Sequence, residues 1–356
     1  MKFTINKHIV ENVISSMQPF LEKKDASAIT SHIYFEVSQN SLTLRATDYE
    51  MGLESTCSDI TNFDEGKATV NGSNLLNILR RLKDTDVIFE IMGNDLNIKQ
   101  SRSNFKLPMY EASEYPSFPV MENLKQLDIN IINLINSVKK ITPSIDNNNP
   151  KFELNGALLD IKTNKINFVA TDTRRLAVAN LENVSNEELQ IIIPKKAIIE
   201  IQKIFLDEAS INYDETNLVL SNNNYKFFTK LINGKFPDYE RIIPTNLKHS
   251  FSLSKESLIE SIKLITSLKP NIKITFNNNN ILFESVDEDS EAQTQIDVQL
   301  DIEESFYIAV NSKYLLDFLS TTTNANVLVG FNESNLPFYL EDDKFITIIM
   351  PIILDK

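Results

Sequence analysis

The chain has 356 residues, of which 42% are hydrophobic, so it can build two or three domains with substantial cores and is not disordered as a whole. Its net charge of −14 argues, taken alone, against nucleic acid as a partner. Because it contains 1 cysteine (Cys57) and 3 histidines, the sequence excludes a disulfide framework and argues against a zinc site.

Several other functional classes lack their sequence signals. The 7 glycines form neither of the phosphate-loop motifs GxGxxG and GxxxxGK[ST], so a nucleotide cofactor is not expected. No apolar run approaches the roughly 20 residues that a membrane span requires, and MKFTINKHIV lacks the apolar stretch of a signal peptide. We therefore expect a cytoplasmic protein with no cofactor, no metal and no membrane partner.

Six segments carry apolar residues at the spacing of an amphipathic helix. In chain order they are 6–18, 73–83, 128–142, 195–206, 254–269 and 312–320. Pro19 is expected to end the first helix, and Asp128, Ser254 and Ser312 to cap the third, fifth and sixth. The strands between them alternate apolar and polar residues, as in SLTLRAT and KINFVAT. This order predicts an α+β fold with helices on one side of antiparallel sheet.

The pattern occurs three times along the chain. Acidic turns that follow a strand are ATDYEMGL (46–53), ATDTRRLAV (170–178) and the more divergent SVDEDSE (285–291). The helices that come next begin in VNGSNLLNIL (70–79), IPKKAIIEIQ (193–202) and VNSKYLLDFL (310–319). Asp48 and Asp172 are 124 residues apart, and Asp172 and Asp287 are 115 apart. We therefore expect three similar domains that build a surface none could build alone.

Charge is unevenly divided between the helical segments and the rest of the chain. The helical segments contain 13 basic and 6 acidic residues, whereas the remainder contains 22 basic and 43 acidic residues. Lys and Arg are good helix formers, so the excess is also explained by ordinary solvated helix faces. Glu forms helices equally well and is scarce in these segments, so we prefer a basic surface lined by the helices. Such a surface binds a phosphate backbone without reading its sequence.

The three turn aspartates raise the possibility of an enzyme. Asp48, Asp172 and Asp287 are candidates for a carboxylate set that holds magnesium for phosphodiester chemistry. They occupy equivalent positions in separate repeats, which would hold them far apart, so we favour a turn-capping role for each. We expect no catalytic and no metal-binding residues. Magnesium-dependent nuclease activity that disappears in Asp172→Ala would support the alternative.

Four longer stretches, taken together, resemble the bacterial DNA polymerase III beta subunit, the replication sliding clamp. They are LNGALL (154–159), VATDTRRLAV (169–178), KLINGKFPDYERIIP (230–244) and IIMPIIL (348–354). The resemblance runs end to end and implies clamp domains at 1–121, 122–246 and 247–356. Antiparallel sheets would lie outside and two helices per domain inside. A head-to-tail homodimer would close a six-domain ring.

The charge pattern and the resemblance together give candidate contacts with double-stranded DNA. From the basic residues of the helical segments we select Arg80, Arg81, Lys139, Lys140, Lys195, Lys196, Lys203 and Lys263, and the resemblance adds the loop residues Lys24 and Asn148. For the dimer, the basic KQSRSNFKL (99–107) of domain 1 would meet VDEDSE (286–291) of domain 3. The implied interface residues are Arg102, Phe105, Leu107, Leu268, Glu288 and Glu291. On sequence alone, two ordinary solvated segments are an equally good explanation.

The resemblance also implies a groove for partner peptides between domains 2 and 3. Its residues are Leu154, Thr171, Arg175, Leu176, Pro237, Arg241, Ile242, Met350, Pro351, Ile352 and Leu354. An apolar lining with a few polar anchors suits an extended peptide that carries a glutamine and a hydrophobic pair. Leu154, Leu176 and Ile242 are equally well explained as core residues. The chain differs from the common family pattern at Thr173, Arg174 and Ile353 and in the added Asp355 and Lys356, which leaves its peptide preference open.

The implied partners are the polymerase catalytic subunit, the clamp loader, repair polymerases, mismatch-repair proteins and ligase. The expected function is therefore a non-enzymatic DNA sliding clamp that tethers the replicative polymerase for processive synthesis. The alternative is a protein-interaction scaffold that never encircles DNA. It predicts unimpaired function when Arg80, Arg81, Lys139 and Lys140 are made acidic.

Overall fold

The computed structural model describes residues 1–119, 124–182, 188–267, 269–286 and 291–354. Within them the chain forms six α-helices and 25 strands, which confirms the sheet-rich α+β fold. Two compact units contain these elements, the first built from 1–132 and 199–231 and the second from 133–198 and 232–356. No helix in the described part of the chain is long and apolar enough to cross a membrane.

All six predicted helices are present. They are α1 (Lys7–Met17), α2 (Gly72–Leu79), α3 (Ile131–Ile141), α4 (Lys195–Ile204), α5 (Lys255–Ile265) and α6 (Ser312–Thr321). Ser254 caps α5 as predicted, but Asp128 and Ser312 are not caps. The Asn130 side chain accepts the N–H of Ile132 at 2.9 Å, and the Asn311 side chain accepts that of Lys313 at 3.0 Å. In both cases the polar residue immediately before the first helical turn takes the cap, because only there can its side chain reach the free N–H groups.

The helices carry less positive charge than the sequence pattern indicated. Between their observed ends lie nine basic and five acidic residues. The difference arises mainly because α2 ends at Leu79, so Arg80, Arg81 and Lys83 follow the helix rather than lie within it. The excess of basic over acidic residues nevertheless remains.

The strands follow the same order in each repeat, except that the first repeat has one additional strand, Ile60–Asp64. The first repeat contains β1 (Lys2–Asn6), β2 (His32–Ser38), β3 (Ser41–Thr47), β4 (Met51–Cys57), β5 (Ile60–Asp64), β6 (Gly66–Asn71), β7 (Asp86–Met92), β8 (Asp95–Gln100) and β9 (Ser103–Pro108). The second contains β10 (Lys125–Gln126), β11 (Gly156–Lys162), β12 (Lys165–Thr171), β13 (Arg175–Glu182), β14 (Leu189–Pro194), β15 (Ser210–Tyr213), β16 (Asn217–Ser221) and β17 (Tyr225–Lys230). The third contains β18 (His249–Ser254), β19 (Asn271–Phe276), β20 (Asn280–Ser285), β21 (Gln293–Asp297), β22 (Phe306–Asn311), β23 (Asn326–Phe331), β24 (Phe338–Asp342) and β25 (Phe345–Ile349).

The first unit contains two antiparallel sheets. One has five strands in the order β5-β1-β7-β8-β9, and the other has eight in the order β10-β15-β16-β17-β4-β3-β2-β6. The pairing of β17 with β4 joins the second repeat to the first in one continuous sheet. Aromatic side chains fill the core, where Phe3 stacks on Phe89 with ring centroids 4.8 Å apart and Phe20 packs edge-on against Phe227 at 5.9 Å.

The second unit repeats this plan. Its eight-stranded sheet has the order β14-β11-β12-β13-β25-β24-β23-β18, and its four-stranded sheet has the order β21-β20-β19-β22. Here the pairing of β13 with β25 joins the second repeat to the third. In the third repeat the half-buried Phe306 stacks on the buried Phe331 at 4.2 Å.

Candidate functional site

The pairing of β13 with β25 brings the second acidic turn next to the C-terminal tail. Arg175 pairs with Ile349 and Leu176 with Ile348. Beyond the strand, the N–H of Met350 donates to the carbonyl oxygen of Arg174 at 2.8 Å, and that of Ile352 donates to Ala309 at 2.7 Å. Backbone hydrogen bonds therefore hold the apolar tail against two separate parts of the second unit, although a chain end usually frays.

Asp172 closes the turn between β12 and β13. Its carboxylate accepts the N–H groups of Arg174 and Arg175, both at 3.0 Å, and the hydroxyl of Thr171 donates to the carbonyl of Arg175 at 2.6 Å. Thr173 takes a left-handed backbone conformation with φ 72°. These contacts fix the backbone at the edge of the predicted groove.

The first repeat has the same turn. Asp48 accepts the N–H groups of Glu50 and Met51 at 3.1 and 3.0 Å, and Tyr49 has φ 69°. The turn-capping interpretation of Asp48 is thus confirmed, as it is for Asp172, whereas Asp287 lies outside the described residues. The described residues contain no group of three or more His, Cys, Asp or Glu side chains that could hold a metal ion.

Arg175 is the centre of a buried polar cluster rather than an exposed anchor. Its side chain is 3% exposed, and its Nε and Nη1 donate to Asp172 at 3.0 Å and to Asp317 at 2.7 Å. Nη2 donates to the carbonyl of Pro143, and the guanidinium lies 4.5 Å from the ring centroid of Tyr314. A buried guanidinium is tolerated only with such compensation, so Arg175 acts here by holding chain segments together.

The remaining predicted groove residues divide into a buried floor and an accessible rim. Leu154 and Leu176 are each 2% exposed and belong to one apolar cluster with Phe236, Tyr239 and Ile348. They are core residues that support the floor. The residues that a ligand can reach, wholly or in part, are Thr171, Pro237, Arg241, Ile242, Met350, Pro351, Ile352 and Leu354. Ile242 and Met350, at 43% and 41%, are large apolar side chains left open to solvent.

The rim segment that carries Pro237, Arg241 and Ile242 is anchored by its Tyr239. The Tyr239 hydroxyl donates to the buried carboxylate of Asp160 at 2.6 Å and accepts from the side-chain amide of Asn167 at 2.7 Å. Burial, together with this bond to Asp160, raises the pKa of Tyr239 above its usual range.

Glu240, the next residue, holds the outer side of the same segment. It pairs with Lys162 at 2.9 Å and with Lys165 at 3.0 Å. The hydrogen bond from Lys162 and then that from Lys165 lower the pKa of Glu240. The Arg241 side chain is 86% exposed, and among the described residues it pairs with Asp238, at 2.7 Å. The anchored segment therefore presents an exposed cation beside an exposed apolar side chain.

The predicted DNA contacts differ in how freely they can meet a phosphate. Eight of them are exposed, namely Lys24, Arg80, Arg81, Lys139, Asn148, Lys196, Lys203 and Lys263. Lys140 lies 5.5 Å from the ring centroid of Phe345, and Lys203 pairs with Glu200 at 2.9 Å. Lys195 is half-buried, donates to the carbonyl of Ile145 at 2.6 Å, and has a pKa lowered by that burial. Lys195 therefore has a structural bond that the sequence pattern did not indicate.

The predicted dimer residues lie at or near the ends of two sheets. Phe105 and Leu107 are on β9, Arg102 is in the turn before it, and Glu291 immediately precedes the β21 region. In the described part of the chain, β9 pairs only with β8, and β21 pairs only with β20. Leu268 and Glu288 lie outside the described residues, as do Asp355 and Lys356.

Sequence reasoning missed four residues that shape the site: Asp160, Asn167, Tyr314 and Asp317. Asp160 is an acid inside the apolar run LLDI of its strand, and this is the signal that could have indicated a buried partner. Asp317 and Tyr314 stand on α6 among ordinary helix residues, and no sequence feature connects them with Arg175.

Comparisons with known proteins agree on one family. Models of the DNA polymerase III beta subunit match residues 1–119 (N-terminal domain), 128–238 (central domain) and 240–353 (C-terminal domain). The chain is 40% identical to the beta sliding clamp of Helicobacter pylori strain J99, over 99% of this chain and 100% of that protein. It is 28% identical to the beta sliding clamp of Vibrio cholerae, again over 99% and 100%.

Solved structures give the same result. A crystal structure of the H. pylori beta clamp bound to a DNA ligase peptide matches with a TM-score of 0.94 and 39% identity, covering 99% of this chain and 100% of that chain. The beta subunit from Pseudomonas aeruginosa, at 23% identity and a TM-score of 0.92, shares the fold. The chain, with three clamp domains in order, therefore belongs to the DNA polymerase III beta subunit family.

Proposed function

We propose that the protein is a DNA sliding clamp that works as a closed head-to-tail dimer. The ring would hold duplex DNA by topology, and a groove in each subunit would tether polymerase and other partners. Members of this family are non-enzymatic processivity factors. They speed DNA synthesis by retaining the polymerase on the template and not by bond chemistry. The protein would accordingly act in the cytoplasm, on the nucleoid.

The observation that carries the dimer is the repeated junction between domains. β4 of the first repeat pairs with β17 of the second, and β13 of the second pairs with β25 of the third. The equivalent strands left over are β21 of the third repeat and β9 of the first, and both are sheet edges. An exposed edge presents unpaired backbone groups that favour another strand. Pairing β21 of one subunit with β9 of its partner would use both edges and close a ring.

The repeats also support a particular register for that pairing. Gly52 and Leu176 hold the same position in their hairpins, and Glu291 holds it in the third when the β20–β21 register is continued by two residues. Phe228, Ile348 and Lys106 correspond to one another in the same way. At the two observed junctions Gly52 pairs with Phe228 and Leu176 with Ile348. By the same rule, Glu291 would lie opposite Lys106 of the partner subunit. The proposed interface thus contains a pair of opposite charges at Glu291, the last residue of the predicted 286–291 segment, and continues along β21 (Gln293–Asp297).

Charge and size support the proposed passage for DNA. Arg80, Arg81, Lys139 and Lys263 are exposed and make no ion pair with any other described residue. Twelve helices side by side, each about 10 Å wide, would enclose a clear diameter of about 28 Å, enough for a duplex. Contacts to phosphates alone permit sliding, because they are the same at every base pair.

The groove would serve partners that carry short clamp-binding peptides. The similarity to the H. pylori clamp bound to a DNA ligase peptide supports ligase as one such partner. The polymerase catalytic subunit, a clamp loader, repair polymerases and mismatch-repair proteins would use the same site. Tethering raises the local concentration of each enzyme at the template without any new catalytic contact.

Disulfide cross-linking tests the dimer and its register together. In a Cys57→Ser background, Gln293→Cys and Asn104→Cys lie opposite each other under the proposed register. We expect this pair to form a covalent dimer on mild oxidation. The matched pair Gln295→Cys with Asn104→Cys is displaced by two residues, about 7 Å, and should not cross-link. A reversed pattern would refute the register, and no cross-link with either pair would refute the edge pairing.

A further inference from the structure

We propose that Asp317, on α6, is a positioning residue for the peptide groove. It orients Arg175, and through Arg175 it fixes the turn and the C-terminal tail that form one side of the groove. The proposal rests on the peptide-binding part of the proposed function. It assigns a role to a helix of the third repeat that contributes no residue to the predicted groove.

Arg175 has three acceptors from three separate chain segments. Asp172 belongs to the turn between β12 and β13, Pro143 follows α3, and Asp317 lies on α6. The Tyr314 ring, also on α6, covers the guanidinium at 4.5 Å. Since the Arg175 side chain is 3% exposed, it cannot serve a peptide as an exposed anchor in this arrangement. Its effect on a ligand must pass through the backbone that it holds.

That backbone leads directly to the groove. The carbonyl of Arg175 accepts from the Thr171 hydroxyl at 2.6 Å, and the carbonyl of the adjacent Arg174 accepts from the N–H of Met350 at 2.8 Å. Thr171 and Met350 are both accessible groove residues. A shift of Arg175 would therefore move one polar and one apolar contact of the site at the same time.

Removing the Asp317 carboxylate would change the orientation of Arg175 and would leave the hydrogen bonds of the turn between β12 and β13 in place. Asp172 also accepts two backbone N–H groups, so changing it would disrupt the turn directly. Among the described residues, the Asp317 carboxylate accepts no backbone N–H of the turn. Its other partner is Lys313, which donates to the same oxygen, Oδ2, at 2.7 Å. Without Asp317, Arg175 would keep one carboxylate and one carbonyl and would gain freedom to rotate. The groove would lose its preorganisation and keep its fold.

The test measures binding of a fluorescein-labelled copy of the DNA ligase peptide that the H. pylori clamp binds. Asp317→Asn should weaken binding about tenfold, the loss expected for one charge-assisted hydrogen bond. Lys313→Gln, which removes only the exposed partner of Asp317, should leave the affinity within about twofold. Binding by the unaltered chain is measured first. If the unaltered chain does not bind, the peptide-binding function fails, and this proposal fails with it.

Two further variants separate positioning from general destabilisation. Asp342 is buried and accepts from the Thr323 N–H at 2.8 Å and from the Asn324 amide at 2.6 Å, away from Arg175. Asp342→Asn should therefore lower the melting temperature without changing peptide affinity. In an Arg175→Met background, Asp317→Asn should change the affinity less than twofold, because the proposed link is already broken. Equal losses of affinity in the presence and absence of Arg175, or an unchanged affinity for Asp317→Asn alone, would overturn the proposal.

Discussion

The Tyr239 hydroxyl donates to Oδ2 of Asp160 across 2.6 Å, and this bond ties the rim of the groove to the sheet beneath it. Asp160 is 1% exposed and lies on β11, while Tyr239 lies in a 3-10 turn from Tyr239 to Ile242. The side-chain amide of Gln190 satisfies the other oxygen of Asp160 at 2.9 Å. A buried carboxylate needs such donors. This need explains why a tyrosine stands at the last position of the sequence FPDY.

Tyr239→Phe should destabilise the protein by about 1–3 kcal/mol, because it leaves the buried Asp160 without its closest donor. Peptide affinity should also fall, since the Pro237 and Ile242 rim loses its anchor. Urea denaturation and fluorescence anisotropy measure the two effects. Tyr213→Phe is the matched control, because Tyr213 is buried and its hydroxyl has no hydrogen-bond partner among the described residues. Equal stability of the two variants would contradict the proposed role of the bond.

Thr173→Gly should stabilise the chain by up to about 1 kcal/mol, because a β-branched residue at positive φ is strained and glycine is not. Thr173 has φ 72° and its side chain is exposed, so little packing is lost. Thermal unfolding measures the gain. Thr245→Gly, at an exposed threonine without positive φ, should lose stability instead. A loss of stability in Thr173→Gly would show that the turn tolerates threonine without strain.

Stability should fall between pH 7 and pH 5 through His32. The His32 ring is buried, 4.3 Å from the Tyr110 ring and 3.4 Å from the Thr69 hydroxyl, and burial lowers its pKa to about 4. Between these two pKa values, about 4 in the folded chain and about 6.5 in the unfolded chain, the unfolded chain binds a proton at His32 and the folded chain does not. The free energy of unfolding therefore keeps its full value above about pH 6.5 as far as His32 is concerned. At pH 5 it should be lower by about 2 kcal/mol.

Urea denaturation at the two pH values checks this effect. His32→Gln should remove that part of the pH dependence, whereas His8→Gln, at an exposed histidine, should retain it. An unchanged pH dependence in His32→Gln would assign the acid sensitivity to other groups.

Arg80→Glu with Arg81→Glu should weaken binding to duplex DNA and reduce the salt dependence. If each arginine contacts one phosphate, the slope of log affinity against log salt should fall by about 2. Lys226→Glu with Lys248→Glu changes the net charge equally and should alter the slope much less, because both lie on or beside strands. Equal changes in both variants would favour a general charge effect and would contradict DNA contact through the α2 region.

The sequence predicted the repeated elements well because local periodicity determines them. The six helices and the aspartate-capped turns depend on residues close in sequence, such as Asp172 and its neighbours Arg174 and Arg175. The caps at Asp128 and Ser312 were wrong because several polar residues near a helix start compete, and backbone geometry selects one. The motifs around 171–176 and 348–354 were correctly grouped through the family resemblance, which no local rule would provide.

Contacts between distant residues account for what the sequence did not show. Nothing in the sequence links Arg175 to Asp317, 142 positions away, or Tyr239 to Asp160, 79 positions away. Lys195 resembled a free surface cation until its bond to the Ile145 carbonyl was seen. Burial also changed the interpretation of Leu154 and Leu176, since an apolar residue in a groove and one in a core have the same sequence signal.

Under the proposed function, closure of the ring, and not adhesion, keeps the protein on DNA. The direct measurement loads the protein onto nicked circular DNA with a cognate clamp loader and ATP, then compares retention at moderate salt before and after linearisation. We expect retention on circles and rapid loss from linear ends, and we expect Lys106→Glu, which under the proposed register would face Glu291 of the partner subunit, to shorten retention on circles. Equal retention on circular and linear DNA would contradict topological linkage.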